Sequence, residues 1–263
     1  MARINRSSEE ALASAPIGIL MLKLAVPAVA AQVINMLYNI VDRIYIGHIP
    51  VVGRTALTGL GITFPIIMLV SAFAAFAGQG GAPLASIRLG AGDRNGAEKI
   101  LGSSTTMLLC TSVVLTIVFS IIKEPVLMAF GASADTIGYA VDYISIYLLG
   151  TIFVQYALGL NTFISAQGKA MVAMCSVLIG AVLNIILDPV FIFVFNLGVR
   201  GAAIATVISQ GVSACWVVGF LCSGRSGIRI RKANLKPNWK VIGQIAALGV
   251  APFIMQSTES LVT

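Results

Sequence analysis

The chain has 263 residues, of which 58% are hydrophobic and 10% are charged, and its formal net charge is +7. A soluble protein of this length needs far more charge to keep its surface hydrated, so a mean hydropathy of +0.96 excludes that class. The composition instead predicts an all-α membrane protein that crosses the bilayer several times.

Seven stretches of the chain contain no Asp, Glu, Lys or Arg. Each approaches or exceeds the roughly 20 residues that a helix needs to cross about 30 Å of hydrocarbon. These stretches occupy residues 24–41, 55–87, 100–122, 143–168, 170–187, 201–224 and 241–258. We therefore predict a polytopic bundle of six transmembrane helices, followed by an incomplete seventh helix.

The chain divides into three predicted parts. Residues 1–222 form a six-helix transmembrane lobe, residues 223–239 form a basic cytoplasmic linker, and residues 240–263 begin a second lobe. The first residues, MARINRSSEEALASAP, are too polar for a cleavable signal peptide. We therefore expect the first span to remain in the mature protein.

The basic residues predict the orientation in the membrane. With a cytoplasmic N-terminus, thirteen Lys and Arg residues lie on the cytoplasmic side and three on the opposite side, with Arg43 inside the first span. This positive-inside bias predicts a multi-pass protein of the cell membrane, plasma or inner, and explains the net charge without nucleic-acid binding. The basic run 225–240 either contacts anionic lipid headgroups or is a plain cytoplasmic connector.

Three carboxylates fall within predicted spans. They are Asp42, Asp188 and Glu259, whereas the other acidic residues, including Asp93 and Glu98, lie in polar segments or at a span entrance. A carboxylate at the centre of a membrane helix costs about 2.5–3.5 kcal/mol on insertion scales, so such residues usually face a cavity or an ion path. The single histidine, His48, excludes a metal site built on a histidine cluster.

Polar side chains accompany two of these carboxylates at helical spacing. On the fifth span, Asn184 and Asp188 are four residues apart and share a helix face. On the first span a polar stripe ends in an aspartate, and it consists of Gln32, Asn35, Asn39 and Asp42. Both spans therefore present a polar face toward the interior of the predicted bundle.

Pro189 follows Asp188 directly. A proline has no N–H for the carbonyl of Ile185, so the helix is expected to bend or loosen beside the carboxylate. A freed carbonyl next to a carboxylate and an amide resembles a site for a hard cation. A proton site is the alternative, because a carboxylate in a poorly hydrated cavity takes up a proton readily. Simple hydrogen bonding between helices is a third interpretation.

Three stretches resemble the multidrug and toxic compound extrusion (MATE) transporters. They are LAVPAVAAQVINMLYNIVDRIYIGHI (24–49), GQGGAPLASIRLGAGDRNGAEKILGSS (78–104), and LNIILDPVFIF with the GVRGAAIATVISQ (198–210) that follows it. The resemblance implies secondary active efflux of organic cations or amphipathic drugs, by antiport with Na⁺ or H⁺ and without a cofactor. It also implies a transporter rather than an enzyme.

The resemblance assigns roles to residues of this chain. The cation or proton site, a possible Na⁺ site, would consist of Asp42, Asn184, Asp188 and Thr206. The substrate cavity would include Gln32, Asn35, Asn39, Tyr143 and Glu259, with Tyr147 as an alternative phenol. Pro27 would be the hinge of the first span, and Pro189 that of the fifth.

The chain departs from the family in length. MATE transporters have twelve helices in two lobes, and this chain ends in the seventh, so it resembles a truncated protein. Residues Leu24, Val26 and Gln32 match Leu248, Val250 and Gln256 at a constant offset of 224, which indicates the start of a repeat. The same offset places Glu259 opposite Asn35. A full-length protein is expected to be a monomer, and a half-length protein to pair.

Two other functional classes share features with this sequence. Gly90-Ala91-Gly92-Asp93 spells the GxGD of intramembrane aspartyl proteases, but Asp93 lies in a polar loop, and that chemistry needs two aspartates within reach. A lipid-linked precursor flippase of the same superfamily would line its cavity with basic residues. Arg43 is the one basic residue well inside a span, and it points about 100° away from Asp42. A structural or regulatory half-protein is a further alternative.

Overall fold

The hydrophobic stretches fold as helices in the computed structural model, which describes residues 17–262. Every regular element in that range is helical. Six single helices are long and apolar enough to cross a membrane, and two further helices joined at a bend form a seventh candidate span. The spans are Ile17–Gly47, Gly53–Gly90, Arg94–Ala129, the pair Ile137–Leu149 and Thr151–Ala166, Ala170–Val194, Val199–Cys222, and Trp239–Val262. The prediction of an all-α bundle with six spans and the start of a seventh is confirmed. The predicted uncleaved, cytoplasmic N-terminal segment lies outside the described residues.

The fourth span is bent by 62° at Gly150. A side chain at this position would collide with Val207 of the sixth span, so glycine allows the two spans to approach closely. The hydroxyl of Thr116 on the third span donates a hydrogen bond of 2.9 Å to the carbonyl of Leu148 beside the break. The polar backbone group that the bend frees is therefore satisfied inside the bundle, as a membrane protein requires.

The fifth span continues past Pro189 instead of ending there. Its α-helix Ala170–Pro189 is followed by a π-helical turn, Val190–Val194. The amide of Phe195 donates to the carbonyl of Val190 at 2.9 Å, which closes this wider turn. The helix is therefore loosened directly after Asp188. The first span runs unbroken through Pro27, and the hinge roles of both prolines remain predictions.

Two clusters of buried apolar residues lie at opposite ends of the bundle. One cluster, around Leu60, Leu127 and Ile144, lies at the end of the bundle that carries the turn of residues 130–136. The other cluster, around Leu101, Phe163 and Leu221, lies at the end that carries the linker. We call the latter the linker end. The first span packs mainly against the fifth, and the second span packs against the third, fourth and seventh. Between the clusters, the first, fifth and sixth spans enclose polar residues.

The seventh span packs closely on the second through glycines. A side chain at Gly80 would collide with the backbone of Ile245 and Gly249, and one at Gly249 would collide with the carbonyl of Phe76. Next to this contact, the ring of Phe253 packs edge-on against Phe73 and Phe76 at 4.9 and 5.7 Å. Backbone approach of this kind is how membrane helices gain packing energy where the hydrophobic effect is weak.

Substitution Gly249→Ala is expected to lower stability, because the added methyl group meets the backbone of the second span. Overpacking of this kind costs about 1–3 kcal/mol, which thermal unfolding of the purified protein would show as a lower Tm. Gly243→Ala on the same helix is the matched control, since no atom lies within 4 Å of its added Cβ. A Tm that is equal or higher for Gly249→Ala would contradict the packing.

Candidate functional site

Two buried carboxyl groups meet where the first span packs on the fifth. The Asp42 and Asp188 side chains lie within hydrogen-bonding reach of each other. The exposed fractions of the two residues are 8% and 0%, so water screens their charges weakly. Two carboxylates this close do not both stay charged unless a proton or a cation lies between them. The pair can therefore bind one positive charge.

Asn184 and Thr206 extend the pair toward the sixth span. The amide nitrogen of Asn184 donates to Asp188 Oδ1 at 3.1 Å and to Thr206 Oγ1 at 3.4 Å. The Tyr143 side chain of the fourth span is buried and lies near Thr206. The structure therefore brings together all four residues predicted for the cation or proton site, with Tyr143 beside them.

Several oxygen atoms of this group lack a donor. Asp42 Oδ1, Asn184 Oδ1 and Asp188 Oδ2 are buried and accept no hydrogen bond from the protein. Buried oxygens without a partner are costly, and a hard cation such as Na⁺ prefers oxygen ligands. Within residues 17–262, no group of three or more His, Cys, Asp and Glu residues could hold a metal ion. Two carboxyl groups with amide and hydroxyl oxygens beside them fit a hard cation or a proton.

A cavity lined by both polar and apolar residues lies beside this site, and its space, including the open mouth, is about 400 Å³. It is enclosed by the first, fourth, fifth and sixth spans and extends from Asn184 and Thr206 toward Ser176 and Ser213, nearer the linker end. Its polar lining consists of Asn35, Tyr38, Ser176, Asn184, Thr206, Ser209, Gln210 and Ser213. None of these polar groups carries a charge. They can form hydrogen bonds to an organic molecule or to water, and they provide no positive charge that would bind an anion.

The predicted stripe of the first span is only partly turned inward. Asn35 lines the cavity, but Gln32 and Asn39 are exposed. The Asn39 amide instead donates to the carbonyl of Asn35 at 2.7 Å. Each residue advances about 100° around a helix, so positions 32 and 39 fall toward one edge of the face that residues 35, 38 and 42 present. The structure does not bring Gln32 and Asn39 into the site.

Two charged residues singled out in the sequence lie elsewhere. Glu259 is exposed on the seventh span, which packs on the second span. The guanidinium of Arg43 lies 5.5 Å from the centre of the Phe64 ring, in a cation–π contact. Neither side chain lies in the group around Asp188, although the positive charge of Arg43 acts on the neighbouring Asp42, and the role of Glu259 remains a prediction.

Sequence reasoning missed several cavity residues that helical spacing could have revealed. Tyr38 lies three residues after Asn35 and four before Asp42, on the same face of the first span. On the sixth span, Ser209 and Ser213 continue the face of Thr206 at intervals of three and four. Single hydroxyl groups are common in membrane helices, and only their alignment with Thr206 distinguishes them.

Comparison with known proteins identifies the family. The MatE family matches residues 27–190, a stretch that contains Asp42, Asn184 and Asp188. The chain belongs to the MatE family. This confirms the resemblance that the sequence motifs indicated.

The relatives of this MatE chain include export proteins. The multidrug export protein MepA of Staphylococcus haemolyticus is 26% identical over 235 residues, and that of Staphylococcus aureus strain NCTC 8325 is 25% identical over 235 residues. Each alignment covers 89% of this chain and 52% of the relative. The chain therefore spans about half the length of the curated relatives that it matches.

Solved MATE structures share the fold. A crystal structure of a MATE in the bent conformation matches with a TM-score of 0.83 and 27% identity, covering 90% of this chain and 52% of that protein. An inward-facing MATE transporter of the MOP superfamily matches with a TM-score of 0.80 and 27% identity, over 89% of this chain and 55% of that protein. An outward-facing structure matches with a TM-score of 0.83 and 27% identity, over 90% and 52% of the two chains. The bundle thus resembles MATE structures in both orientations.

The two carboxyl groups are expected to affect stability jointly. In Na⁺-free buffer at alkaline pH, Asp42→Asn or Asp188→Asn alone should raise the Tm, because each removes the repulsion between the groups. The double substitution should add little to either single one, with a coupling free energy of about 0.5–3 kcal/mol. Thermal unfolding of the four proteins measures this coupling.

Asp135→Asn provides the control for this cycle. Asp135 is exposed in the turn that precedes the fourth span, so combining it with Asp188→Asn should give additive changes in Tm. Additive changes for Asp42→Asn and Asp188→Asn would show that the two carboxyl groups do not interact.

Proposed function

We propose that this chain acts in multidrug efflux, as the ion-binding lobe of a secondary antiporter driven by Na⁺ or H⁺. The observation that carries the proposal is the buried Asp42–Asp188 pair, within hydrogen-bonding reach and beside a cavity lined by both polar and apolar residues. Two carboxyl groups this close favour binding of one proton or cation between them. Relatives named as multidrug export proteins support the same assignment.

The choice of coupling ion depends on the oxygens around the pair. Na⁺ would use the buried oxygens of Asp42, Asn184 and Asp188 that accept no hydrogen bond, with the Thr206 hydroxyl completing the set. H⁺ would instead join the two carboxyl groups directly. Each ion neutralises the same negative charge, so Na⁺ and H⁺ compete for one site. Loading this site is the event that we propose to drive transport.

Coupling requires that the ion bind one conformation more tightly than the other. Each tenfold difference in ion affinity between inward- and outward-facing states supplies about 1.4 kcal/mol. Occupation of the carboxyl pair lowers the negative charge beside the cavity, which weakens the attraction for a cationic drug. The incoming ion therefore favours release of an organic cation or amphipathic compound.

The flippase alternative receives less support from the cavity. A lipid pyrophosphate carries several negative charges and needs basic groups around it. The residues that line the cavity include no Lys or Arg, and Arg43 is engaged with Phe64. The lining instead suits a substrate that is neutral or cationic.

The protease alternative conflicts with the position of Asp93. Its Oδ1 accepts the amide of Gly96 at 2.8 Å and so caps the third span, while Oδ2 lies 3.3 Å from Arg88. Both carboxylate oxygens of Asp93 therefore have partners, one at the end of the second span and one at the start of the third. An aspartyl protease needs two carboxyl groups facing one substrate, and Asp93 does not provide this.

We further propose a cell-membrane location with a cytoplasmic N-terminus, on the basis of the positive-inside bias. The linker end would then face the cytoplasm. The partners would be a drug-like substrate and the lipid bilayer, with no nucleic acid. Chemical cross-linking in membranes would distinguish a monomer from a pair of chains.

Substitution Asp188→Asn should abolish ion-driven efflux, because the amide keeps the shape of the side chain but cannot bind a cation as a charge pair. The measurement is loss of a fluorescent organic cation from proteoliposomes under a Na⁺ or H⁺ gradient. The variant should still insert in the membrane and unfold cooperatively, which separates lost coupling from misfolding.

Asp135→Asn is the matched control in this assay and should export the dye at the normal rate. Normal export by a complete-length protein that carries Asp188→Asn would contradict the antiport assignment. Cleavage of a peptide substrate without any ion gradient would instead support the protease class.

A further inference from the structure

A second buried carboxylate lies outside the proposed ion site. Glu98 is in the second turn of the third span at the linker end, and its exposed fraction is 0%. Its sequence context predicted a solvated polar segment, so its burial corrects that expectation. Two arginines hold it: Arg94 Nε lies 3.3 Å from Oε1, and Arg231 Nε lies 2.7 Å from Oε2 as an ion pair.

These two arginines come from different parts of the chain. Arg94 is one turn before Glu98 on the same helix, and it also donates a long hydrogen bond of 3.5 Å to the carbonyl of Ser226. Arg231 belongs to the linker between the sixth and seventh spans. Glu98 therefore joins the linker to the first turns of the third span by charge.

The loop between the fourth and fifth spans holds the same linker by hydrogen bonds. Gln167 Oε1 accepts from the Ser226 hydroxyl at 3.0 Å, from the Gly227 amide at 2.7 Å and from the Ile228 amide at 3.3 Å. The amide group of Gln167 is itself fixed, because its nitrogen donates to the carbonyl of Phe163 at 2.9 Å. One side chain thus binds three successive linker residues.

Apolar burial and backbone contacts complete the attachment. Ile228 is 1% exposed and packs in the apolar cluster of the linker end. The amide of Ile230 donates to the carbonyl of Leu221 at 3.2 Å, and the Thr106 hydroxyl donates to the carbonyl of Leu235 at 2.7 Å. The linker is therefore attached to the bundle from residue 226 to residue 235.

Charge explains why a buried glutamate is needed at this place. Residues 225–240 contain six basic residues and no acidic one, so the segment repels itself. At the linker end, Asp93 is already engaged by Arg88. Glu98 supplies the negative charge that holds Arg231 against the bundle. A buried carboxylate in turn needs a cationic partner, since an uncompensated buried charge is strongly destabilising.

We propose that Glu98 is a positioning residue that fixes the linker on the six-helix bundle through Arg231 and so sets where the seventh span begins. The seventh span starts at Trp239, four residues after the carbonyl that Thr106 binds. Its close contact with the second span at Gly80 and Gly249 requires a defined starting point. We call the Glu98–Arg231 pair the latch, because it joins the six-helix bundle to the linker just before the seventh span.

Hydrogen–deuterium exchange of the whole protein, followed by mass spectrometry, tests this latch. In Glu98→Gln the amides of Gly227, Ile228 and Ile230 should exchange about tenfold faster than in the wild type, because the linker detaches more often. Exchange in the sixth span, Val199–Cys222, should stay unchanged. Glu124→Gln is the control, since Glu124 is exposed at the other end of the same helix, and its linker should exchange at the wild-type rate.

A double substitution separates the ion pair from general loosening. Arg231→Gln alone should accelerate linker exchange as Glu98→Gln does, and Glu98→Gln with Arg231→Gln should be no faster than either. Wild-type exchange in both single variants, or additive acceleration in the double variant, would overturn the proposal. If Glu98→Gln accelerates exchange throughout the bundle, the Arg231→Gln variant provides the test of the proposal instead. Faster exchange confined to residues 225–235 then supports the latch, and wild-type exchange refutes it.

Discussion

Two carboxyl groups buried within reach of each other impose a condition that the rest of the bundle satisfies. Asp42 and Asp188 come from spans that are distant in sequence and are brought together by the packing of the first span on the fifth. In a poorly hydrated interior, both charges cannot persist without a bound cation or proton. The site is therefore defined by a requirement for one positive charge.

The scaffold around the pair combines rigid contacts with locally loosened helix. Pro189 and the π-helical turn Val190–Val194 relax the fifth span directly after Asp188, and the fourth span is bent by 62° at Gly150. By contrast, the linker end is held by an apolar cluster and by the Glu98–Arg231 pair. The fifth span is therefore loosened beside the carboxyl pair, while the start of the seventh span is held by several contacts.

The sequence predicted the spans and the site because both depend on scarcity of charge. Asp42 and Asp188 were found because carboxylates are rare in apolar stretches, and Asn184 because it is four residues from Asp188. Gln32 and Asn39 show what helical periodicity leaves undetermined. Their spacing places them beside the polar face of the first span, but it does not show which edge of that face a neighbouring helix covers. The burial of Glu98 was not predictable from its charged surroundings, because it depends on a linker residue 133 positions later. Long-range contacts of this kind have no local signal.

The most direct test measures whether positions 42 and 188 meet. Cysteines are placed at both positions in a variant whose native cysteines, Cys110, Cys175, Cys215 and Cys222, are replaced by alanine. Two adjacent thiolates bind Cd²⁺ together, because soft metals prefer thiolate ligands. Low concentrations of Cd²⁺ should then raise the Tm of the Asp42→Cys, Asp188→Cys protein, because a ligand that binds the folded state stabilises it, but should leave the Tm of the Gln32→Cys, Asp188→Cys protein unchanged. An equal effect of Cd²⁺ on the two Tm values would contradict a shared charge site.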